Sequence, residues 1–338
     1  MGVRIDDIAK AAGVSTATVS RVLNNKDRVS PETRGRVEAA IKQFNYKPNL
    51  FARGLMRGTT NTVGILVPFF TNPYHVSIVD SIEKNLAQRD IRIYLCNTYD
   101  RRDQEERYLD ELGRRNVDAL ILVETASVNA PLDQEVVLPL DVPVILVNEH
   151  LRSDSPHHII RCAQEPGFLA ALDRLIDTAR LPIDLVIGDL SWSFDLKERV
   201  FLEHLERRGV NPRDHAVVRL TSVNMEDVVQ RCARYAREAL GRNRPPRAFL
   251  AGNDLMGVGL LQGVLSAGFR VPQDVAVIGI DNSLPSRIAV PPLSTVDLRE
   301  ADVGRLVAET YFDLCDGKVR GQPVHRTIDS QFVNRGTA

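Results

Sequence analysis

Short apolar runs alternate with helical segments from residue 62 to about residue 280, and this alternation constrains the fold more strongly than any other feature of the sequence. The runs predicted as strands form two series, at 63–68, 91–95, 119–123 and 142–147, then at 185–188, 216–220, 248–251 and 275–280. The helices predicted between them lie near 74–89, 103–115, 133–138, 166–179, 195–208, 226–240 and 254–267. Continuous apolar strands that alternate with helices form parallel sheets covered on both faces. The two series therefore predict an α/β fold with two doubly wound parallel sheets.

A helix-turn-helix pattern occupies residues 5–23, ahead of the first predicted strand. Gly13 provides the permissive backbone of the turn, and Ser15 is a suitable N-cap for the second helix. That helix turns its apolar positions inward, which leaves an outer face of small, polar and basic side chains: Thr16, Ala17, Ser20 and Arg21. Short side chains suit a helix that enters a DNA major groove, which is about 12 Å wide. On its own, the pattern also fits a small helical hairpin in an unrelated core.

A third helix is predicted to begin at Ser30. This residue, Pro31 and Glu32 provide an N-cap, a proline at the first helical position and an acidic side chain in the first turn. The predicted packing face of this helix consists of Val37, Ala40, Ile41 and Phe44.

The run from Asp7 to Ser15, the segment from Val19 to Asn24 and the motif Asn45-Tyr-Lys-Pro-Asn49 together resemble the DNA-binding headpiece of the lactose-repressor (LacI/GalR) family. Later motifs extend this resemblance over essentially the entire chain. The resemblance implies a body like that of periplasmic binding proteins, in which two doubly wound subdomains hold a small molecule at the carboxyl ends of their strands.

The resemblance also implies the domain boundaries. A helix-turn-helix headpiece at 1–47 is followed by a hinge helix or linker at 48–58 and by a core for effector binding and dimerisation at 59–338. The chain is expected to cross between the subdomains near 161, 291 and 323. Subdomain one then comprises about 59–160 and 292–322, and subdomain two comprises about 161–291 and 323–338.

Eleven residues are expected to contact double-stranded DNA: Ile5, Thr16, Ala17, Thr18, Ser20, Arg21, Asn24, Arg28, Asn49, Ala52 and Leu55. Thr16, Ala17 and Arg21 are expected to face base edges, whereas Asn24 and Arg28 are expected near the DNA backbone. Leu55 stands where the family inserts a leucine into the minor groove, and the bend that this wedge produces offsets the cost of unstacking. Alternatively, 48–58 is a plain linker whose apolar residues rest on the body.

Ten residues at the predicted strand ends are expected to bind the effector: Phe69, Phe70, Asn72, Tyr74, Asn148, Trp192, Phe194, Arg199, Asn253 and Asp281. Their chemistry suits a sugar or sugar acid, because carboxylate, amide and guanidinium groups bind hydroxyls while aromatic faces cover C–H patches. Other roles remain open for several neighbours. Asp254 also fits a helix cap, Trp192 fits a core position, and Phe69 or Phe70 fits the subdomain interface.

The charge of the chain is unevenly distributed. The net charge is −1, but residues 1–57 have a net charge of +6 and the remainder has −7, which is typical of a small DNA-reading module joined to a larger domain. The cysteines, Cys96, Cys162, Cys232 and Cys315, are widely separated, so we expect no metal site, no cofactor and no disulfide framework. We see neither a signal peptide nor a membrane span, and we expect a cytoplasmic protein.

These features favour a sequence-specific transcriptional regulator, most simply a repressor, that works as a homodimer because a palindromic operator requires two-fold symmetry. A periplasmic-type sugar-binding protein would share the body but has no use for residues 1–58. A nicotinamide-dependent enzyme would need a glycine-rich turn between a strand and a helix, and Gly257-Val-Gly-Leu-Leu-Gln-Gly263 has the wrong spacing. We therefore expect no enzymatic activity. Within the family induction is the commoner response, and the sequence encodes neither the effector's identity nor the operator.

Overall fold

The structure, a computed structural model, describes residues 3–23, 29–46, 59–114, 116–126, 141–147, 155–188, 192–221, 225–319 and 321–338. The chain divides into two compact units, Met1–Thr60 and Asn61–Ala338. Each unit is described by itself below.

The first unit contains three helices: α1 (Ile5–Ala12), α2 (Thr16–Leu23) and α3 (Pro31–Gln43). Gly13 ends α1 in the left-handed region, at φ 63°, which turns the chain directly into α2. The Ser30 side chain accepts a hydrogen bond from the Thr33 backbone N–H, and Pro31 begins α3. The predicted start of the third helix is confirmed.

A small apolar core holds the three helices together. Its buried members are Ile8, Ala9, Ala12, Val19, Val22, Val37 and Ala40. Phe44, predicted on the packing face of α3, is instead 38% exposed. It is the C-cap of α3, where the chain turns away from the core through Asn45 at a φ of 45°.

The second unit contains two sheets covered by helices, as predicted, and each sheet has six strands. The first sheet has the order β2-β1-β3-β4-β5-β11 and the second has the order β7-β6-β8-β9-β10-β12. The strands are β1 (Thr62–Val67), β2 (Arg92–Asn97), β3 (Ala119–Val123), β4 (Val144–Val147), β5 (His158–Ala163), β6 (Ile183–Ile187), β7 (Ala216–Arg219), β8 (Ala248–Ala251), β9 (Ala276–Asp281), β10 (Ser294–Asp297), β11 (His325–Asp329) and β12 (Gln331–Val333). Neighbours pair in parallel except for β10 and β12, which are antiparallel.

The helices of this unit connect successive strands, and their order explains the parallel pairing. They are α4 (Pro73–Leu86), α5 (Arg102–Gly113), α6 (Glu165–Asp177), α7 (Trp192–Arg207), α8 (Met225–Leu240), α9 (Asp254–Ser266), α10 (Leu284–Ile288) and α11 (Glu300–Cys315). The helix predicted at 133–138 lies outside the described residues. No described helix is long and apolar enough to span a bilayer.

The three crossings between the sheets fall a few residues later than the sequence predicted. Strand β5 stays paired in the first sheet through Ala163, β10 pairs with β9 in the second sheet, and β11 pairs with β5 in the first. The crossings therefore follow Ala163, Asp297 and Asp329, not residues 161, 291 and 323. Each connecting strand completes the ladder of its own sheet before the chain leaves it.

These crossings pack tightly against one another. Ser330 Oγ accepts a hydrogen bond from the Gly167 N–H at 2.9 Å and donates one to the Gln164 carbonyl at 2.9 Å. A Cβ on Gly167 would lie only 2.6 Å from Val296 Cγ1 and 2.8 Å from Ser330 Oγ. A glycine at 167 thus allows segments from all three crossings to meet.

Candidate functional site

The headpiece unit exposes one face of α2. Thr16, Ala17 and Arg21 are exposed, while Val19 and Val22 on the opposite face are buried in the small core. The recognition face therefore combines two short side chains with a guanidinium one turn further along the helix. Such a face can approach base edges and donate hydrogen bonds to them.

Two other predicted DNA contacts already make contacts within the headpiece. The Thr18 hydroxyl lies 3.0 Å from Ser15 Oγ, and the Thr18 N–H donates to the same oxygen at 3.2 Å, so Ser15 and Thr18 cap the start of α2. Ile5 packs in part against the apolar core, and Ser20 is half-buried. The remaining predicted DNA contacts lie outside the described residues: Asn24, Arg28, Asn49, Ala52 and Leu55.

In the second unit, acidic side chains from both subdomains act electrostatically on the hydroxyl of Tyr74, near the start of α4. Burial raises the pKa of Tyr74 well above its usual value, and the charges of Glu124, Glu300 and Asp281 raise it further. Glu124 follows β3 in the first sheet, Asp281 ends β9 in the second sheet, and Glu300 begins α11 just after a crossing. We call Glu124, Asp281 and Glu300 the cleft acids, because each lies at or just past the carboxyl end of a strand, where ligands bind in open α/β sheets, and each acts on Tyr74.

The backbone at two cleft acids adopts positive φ values, which are unusual for residues other than glycine. The φ angle is 47° at Glu124 and 120° at Asp281. Such conformations persist only where the surrounding structure imposes them, and they cluster at functional sites. Glu124 Oε2 also lies 3.4 Å from Nε2 of the buried His75.

Asp254 is a fully buried carboxyl whose charge acts on Asp281. It accepts hydrogen bonds from the Ser283 N–H at 2.7 Å, the Ser283 hydroxyl at 2.8 Å and the Thr295 hydroxyl at 2.6 Å. Burial raises its pKa to about 6, although these hydrogen bonds oppose the shift. The alternative role considered for Asp254, a helix cap, is wrong, because Asn253 caps α9 instead by accepting a hydrogen bond from the Met256 N–H.

The two basic residues of α7 near this site, Lys197 and the predicted effector contact Arg199, differ in burial. Arg199 is exposed, whereas Lys197 is 5% exposed and donates a hydrogen bond to Ser193 Oγ at 3.3 Å. Burial and the charges of Asp254, Glu300 and Glu124 raise the pKa of Asp281 well above its usual range, and the charge of Lys197 opposes them. The charge of Lys197 thus acts on the buried Asp281 carboxyl.

Phe194 positions Lys197 and is not an open aromatic surface. Its ring packs on Gly188 and Gly252, at the ends of β6 and β8, so closely that a Cβ on either glycine would lie 2.5 or 2.6 Å from a ring carbon. Lys197 Nζ lies 5.3 Å from the ring centroid. Phe194 was predicted to cover the ligand with its ring. Because part of the ring packs against the strand ends, less of it is available for a ligand.

The other predicted effector contacts differ in exposure and in their local contacts. Asn72 caps α4 by accepting a hydrogen bond from the Tyr74 N–H at 3.1 Å, Phe69 is half-buried, and Phe70 is 42% exposed. Trp192 lines a groove of about 630 Å³, together with Arg161, Ala163, Glu165, Pro166, Leu169 and Leu196. Asn148 lies outside the described residues.

Sequence reasoning missed Lys197, Glu124 and Glu300, although signals for them exist. Lys197 is in phase with the buried residues of α7, Val200, Phe201, His204 and Leu205, whereas Arg199 is not. Glu300 likewise precedes the buried stripe of α11, Val303, Gly304, Val307 and Ala308. Glu124 directly follows a wholly buried strand, the position at which ligands bind in open α/β sheets.

Comparisons with known families match both parts of the chain. Residues 4–49 match the family described as bacterial regulatory proteins, lacI family, and residues 185–338 match the periplasmic binding protein-like domain. The chain is 31% identical over 317 residues to the HTH-type transcriptional repressor PurR of Aliivibrio fischeri, covering 91% of this chain and 90% of the relative. It is also 31% identical to the ribose operon repressor of Escherichia coli, with 90% of each chain covered.

Solved structures share the fold along the whole chain. A transcriptional regulator CelR–cellobiose complex has a TM-score of 0.68 at 26% identity, covering 99% of this chain and 100% of the other. The Lac repressor bound to ONPG in the repressed state has a TM-score of 0.82 at 23% identity, with both chains fully covered.

Proposed function

Because the chain belongs to the lacI family of bacterial regulatory proteins, we propose that it is a transcriptional repressor whose operator affinity changes when a small polyhydroxylated effector occupies the cleft. One observation underlies this proposal. A single chain joins a helix with an exposed, polar and basic recognition face to a two-sheet body with polar side chains between the sheets. Relatives named as repressors align over about nine-tenths of that chain. A periplasmic-type binding protein would have no use for the headpiece.

On DNA, Arg21 donates hydrogen bonds to a base edge while Thr16 and Ala17 allow the helix to approach closely. The other proposed contacts include Asn24 and Arg28 near the DNA backbone and Leu55 in the minor groove. The segment 48–58 then serves as the hinge between the headpiece and the core. The operator is expected to be a near-palindrome.

In the body, the effector lies between the sheets, where its hydroxyls bind the cleft acids, Lys197 and Asn253. A ligand that contacts both subdomains binds the closed cleft more tightly than the open one, and only such differential affinity can shift the equilibrium. A coupling of about 1–3 kcal/mol changes DNA affinity roughly 5- to 150-fold. We expect the effector to lower operator affinity, as an inducer does. Of a sugar and a sugar acid, the abundance of carboxyl groups favours the uncharged sugar.

The body also has two exposed apolar patches that suit a homodimer. The first includes Tyr94, Leu95 and Tyr99 at and just beyond the edge strand β2, and the second includes Ile288 and Val290, which are 66% and 84% exposed. Exposed apolar patches of this kind typically mark association surfaces. One patch lies on each subdomain, so pairing through both would make the dimer sensitive to cleft closure.

The proposal is tested by selecting an operator from a randomised DNA library with the full chain and then measuring affinity for that operator by fluorescence anisotropy. Each member of a panel of sugars and sugar acids is added in turn, and emission from Trp192, the only tryptophan, reports on the cleft independently. We expect a palindromic consensus and at least one compound that changes both signals. Failure to enrich any sequence, with a folded headpiece, would contradict the DNA-binding role.

A further inference from the structure

We propose that the effector is an amine-bearing polyol, such as an amino sugar, whose ammonium group binds among the cleft acids. This inference rests on the proposed function and specifies its ligand. It starts from an atom that the fold leaves without a hydrogen bond.

Glu300 Oε1 is buried and has no hydrogen-bond partner within the described part of the chain. The residue as a whole is only 9% exposed. Burying a carboxyl oxygen without a donor is unfavourable, and native proteins usually avoid it. Glu300 follows the carboxyl end of β10, the side of a parallel sheet at which ligands bind, and its charge acts on both Tyr74 and Asp281. A ligand donor in the cleft would satisfy Glu300 Oε1.

The charged side chains near Glu300 determine which kind of ligand donor is favoured. The cleft acids contribute three carboxyl groups from three different elements. Burial is the main cause of the raised pKa of Asp281, and the charge of Asp254 is the next largest. Lys197 is the basic side chain that offsets this effect. A neutral hydroxyl would provide a donor but would not relieve the repulsion among the acids. An ammonium cation provides a hydrogen-bond donor and also relieves the repulsion, because its positive charge stabilises the ionised carboxyls.

The shape of the cluster favours an organic ammonium over a metal ion. Among the residues that the structure describes, no three His, Cys, Asp or Glu side chains are arranged to hold a metal. Hard cations need several oxygens at short, fixed distances, whereas an ammonium group donates three hydrogen bonds over a wider range of positions. Hydroxyls of the same ligand would then bind Asn253 and Tyr74.

The test uses matched sets of compounds that differ in one group. One set is D-glucosamine, D-glucose and D-glucuronate, another is glucamine, sorbitol and gluconate, and the ring set is repeated on the galactose and mannose frameworks. Thermal shifts and isothermal titration calorimetry are recorded with the full chain. We expect an amine member to bind about tenfold more tightly than its neutral counterpart, as for a charge-assisted hydrogen bond.

The pH dependence provides a second readout. Burial, and after it the charges of Asp297 and Asp254, raises the pKa of Glu300 to about 7, while Arg287 opposes the shift. Tyr74 and Asp281 also face this carboxyl. Glucamine stays protonated throughout, so its affinity should rise from about pH 5.5 to about pH 7 as Glu300 ionises.

Two variants in α11 distinguish the role of the Glu300 carboxyl from a general effect of changing this helix. Glu300→Gln should abolish the preference for the amine, whereas Glu309→Gln, on the exposed side of α11 beside Arg305 and Arg326, should retain it. The inference is overturned if neutral or acidic members bind as well as the amines, if no amine binds up to its solubility limit, or if Glu300→Gln keeps the preference while remaining folded.

Operator affinity distinguishes this inference from the proposed function. If a neutral sugar releases DNA and the amines do not, the regulatory function stands and the amine inference fails. If an amine binds with the expected preference but leaves operator affinity unchanged, the binding site stands and the proposed regulation fails.

Discussion

Burial of one carboxyl group, Glu300, should make the stability of the body depend on pH. Its pKa rises from 4.5 to about 7, chiefly because it is buried. Between those values the native state holds a proton that the unfolded chain releases, so stability decreases as pH rises through this window. Below pH 4.5 the Glu300 carboxyl is protonated in both the native and the unfolded state. Above about pH 7 it is ionised in both states, and the native state bears the full free-energy cost of burying the charge.

We therefore predict that Glu300→Gln becomes more stable relative to the wild type as pH rises from about 5 to about 8, by up to about 3 kcal/mol. Urea denaturation at a series of pH values measures this difference. Glu309→Gln, which changes an exposed carboxyl on the same helix, should track the wild type. An unchanged difference between Glu300→Gln and the wild type across this range would contradict the buried, raised carboxyl.

Lys197 and Arg199 provide a matched pair within α7. Lys197→Met should weaken effector binding by about tenfold or more, because it removes a buried donor for a ligand hydroxyl, a loss larger than the gain from one less cation near the ligand's ammonium group. Arg199→Met should have little effect, since the Arg199 side chain is exposed. Titration of Trp192 fluorescence with an effector found in the screen compares the two variants, and the reverse ranking would restore the original prediction for Arg199.

Arg21 is the recognition-helix residue with the strongest expected base contact. Arg21→Ala should cost about 1–3 kcal/mol of operator binding and relax specificity at one position in each half-site. Repeating the library selection with the variant reads out that position directly. Equal weakening on all sequences would instead assign Arg21 to the DNA backbone.

At the level of helices and strands, sequence periodicity predicted most of the architecture. The central strands are wholly buried, so they appear as continuous apolar runs, and the predicted strands match those observed to within a few residues. Four strands were not predicted from the sequence: β5, β10, β11 and β12. For example, β11 alternates exposed and half-buried residues, and β12 has only three residues.

The site was less predictable than the fold, and the reason lies in helical phase. Strand ends predicted Asp281 and Tyr74 in one cleft, and the Asp281 charge does act on the Tyr74 hydroxyl. Which face of α7 meets that cleft depends on how the helix is rotated about its axis. A rotation of two residues exchanges Lys197 for Arg199, and only packing against the sheet fixes this rotation.

The crossings between the subdomains should be sensitive to a single methyl group. Gly167→Ala would place a Cβ within 3.0 Å of Val296, Ser330 and the Gln331 backbone, so the segments must shift. Overpacking of this kind typically costs about 1–3 kcal/mol. Denaturant titration should show this loss for Gly167→Ala and not for Gly241→Ala, whose Cβ would meet its neighbours at 3.6 Å or more. Equal stability of the two variants would mean that the crossings are loosely packed.

At the scale of the whole molecule, we predict that both apolar patches are buried in a homodimer. Combining Leu95→Glu with Ile288→Glu should shift the protein to a monomer at micromolar concentration, because charges are strongly disfavoured in the core of an interface. Light scattering measures the mass. Phe44→Glu, which changes an exposed apolar residue of the headpiece, should leave the mass unchanged. A wild-type monomer or tetramer would contradict the predicted dimer.

The interleaved order of the strands has a consequence during synthesis on the ribosome. The first sheet gains its last strand, β11, only when residue 329 has emerged, and the second sheet waits for β12 at residues 331–333. Both halves of the body are thus incomplete until nearly the whole chain has been made. The headpiece has its own core of three helices and can form first. A translation arrest shortly before β11 should therefore release a chain with a folded DNA-reading module and no functional sensor.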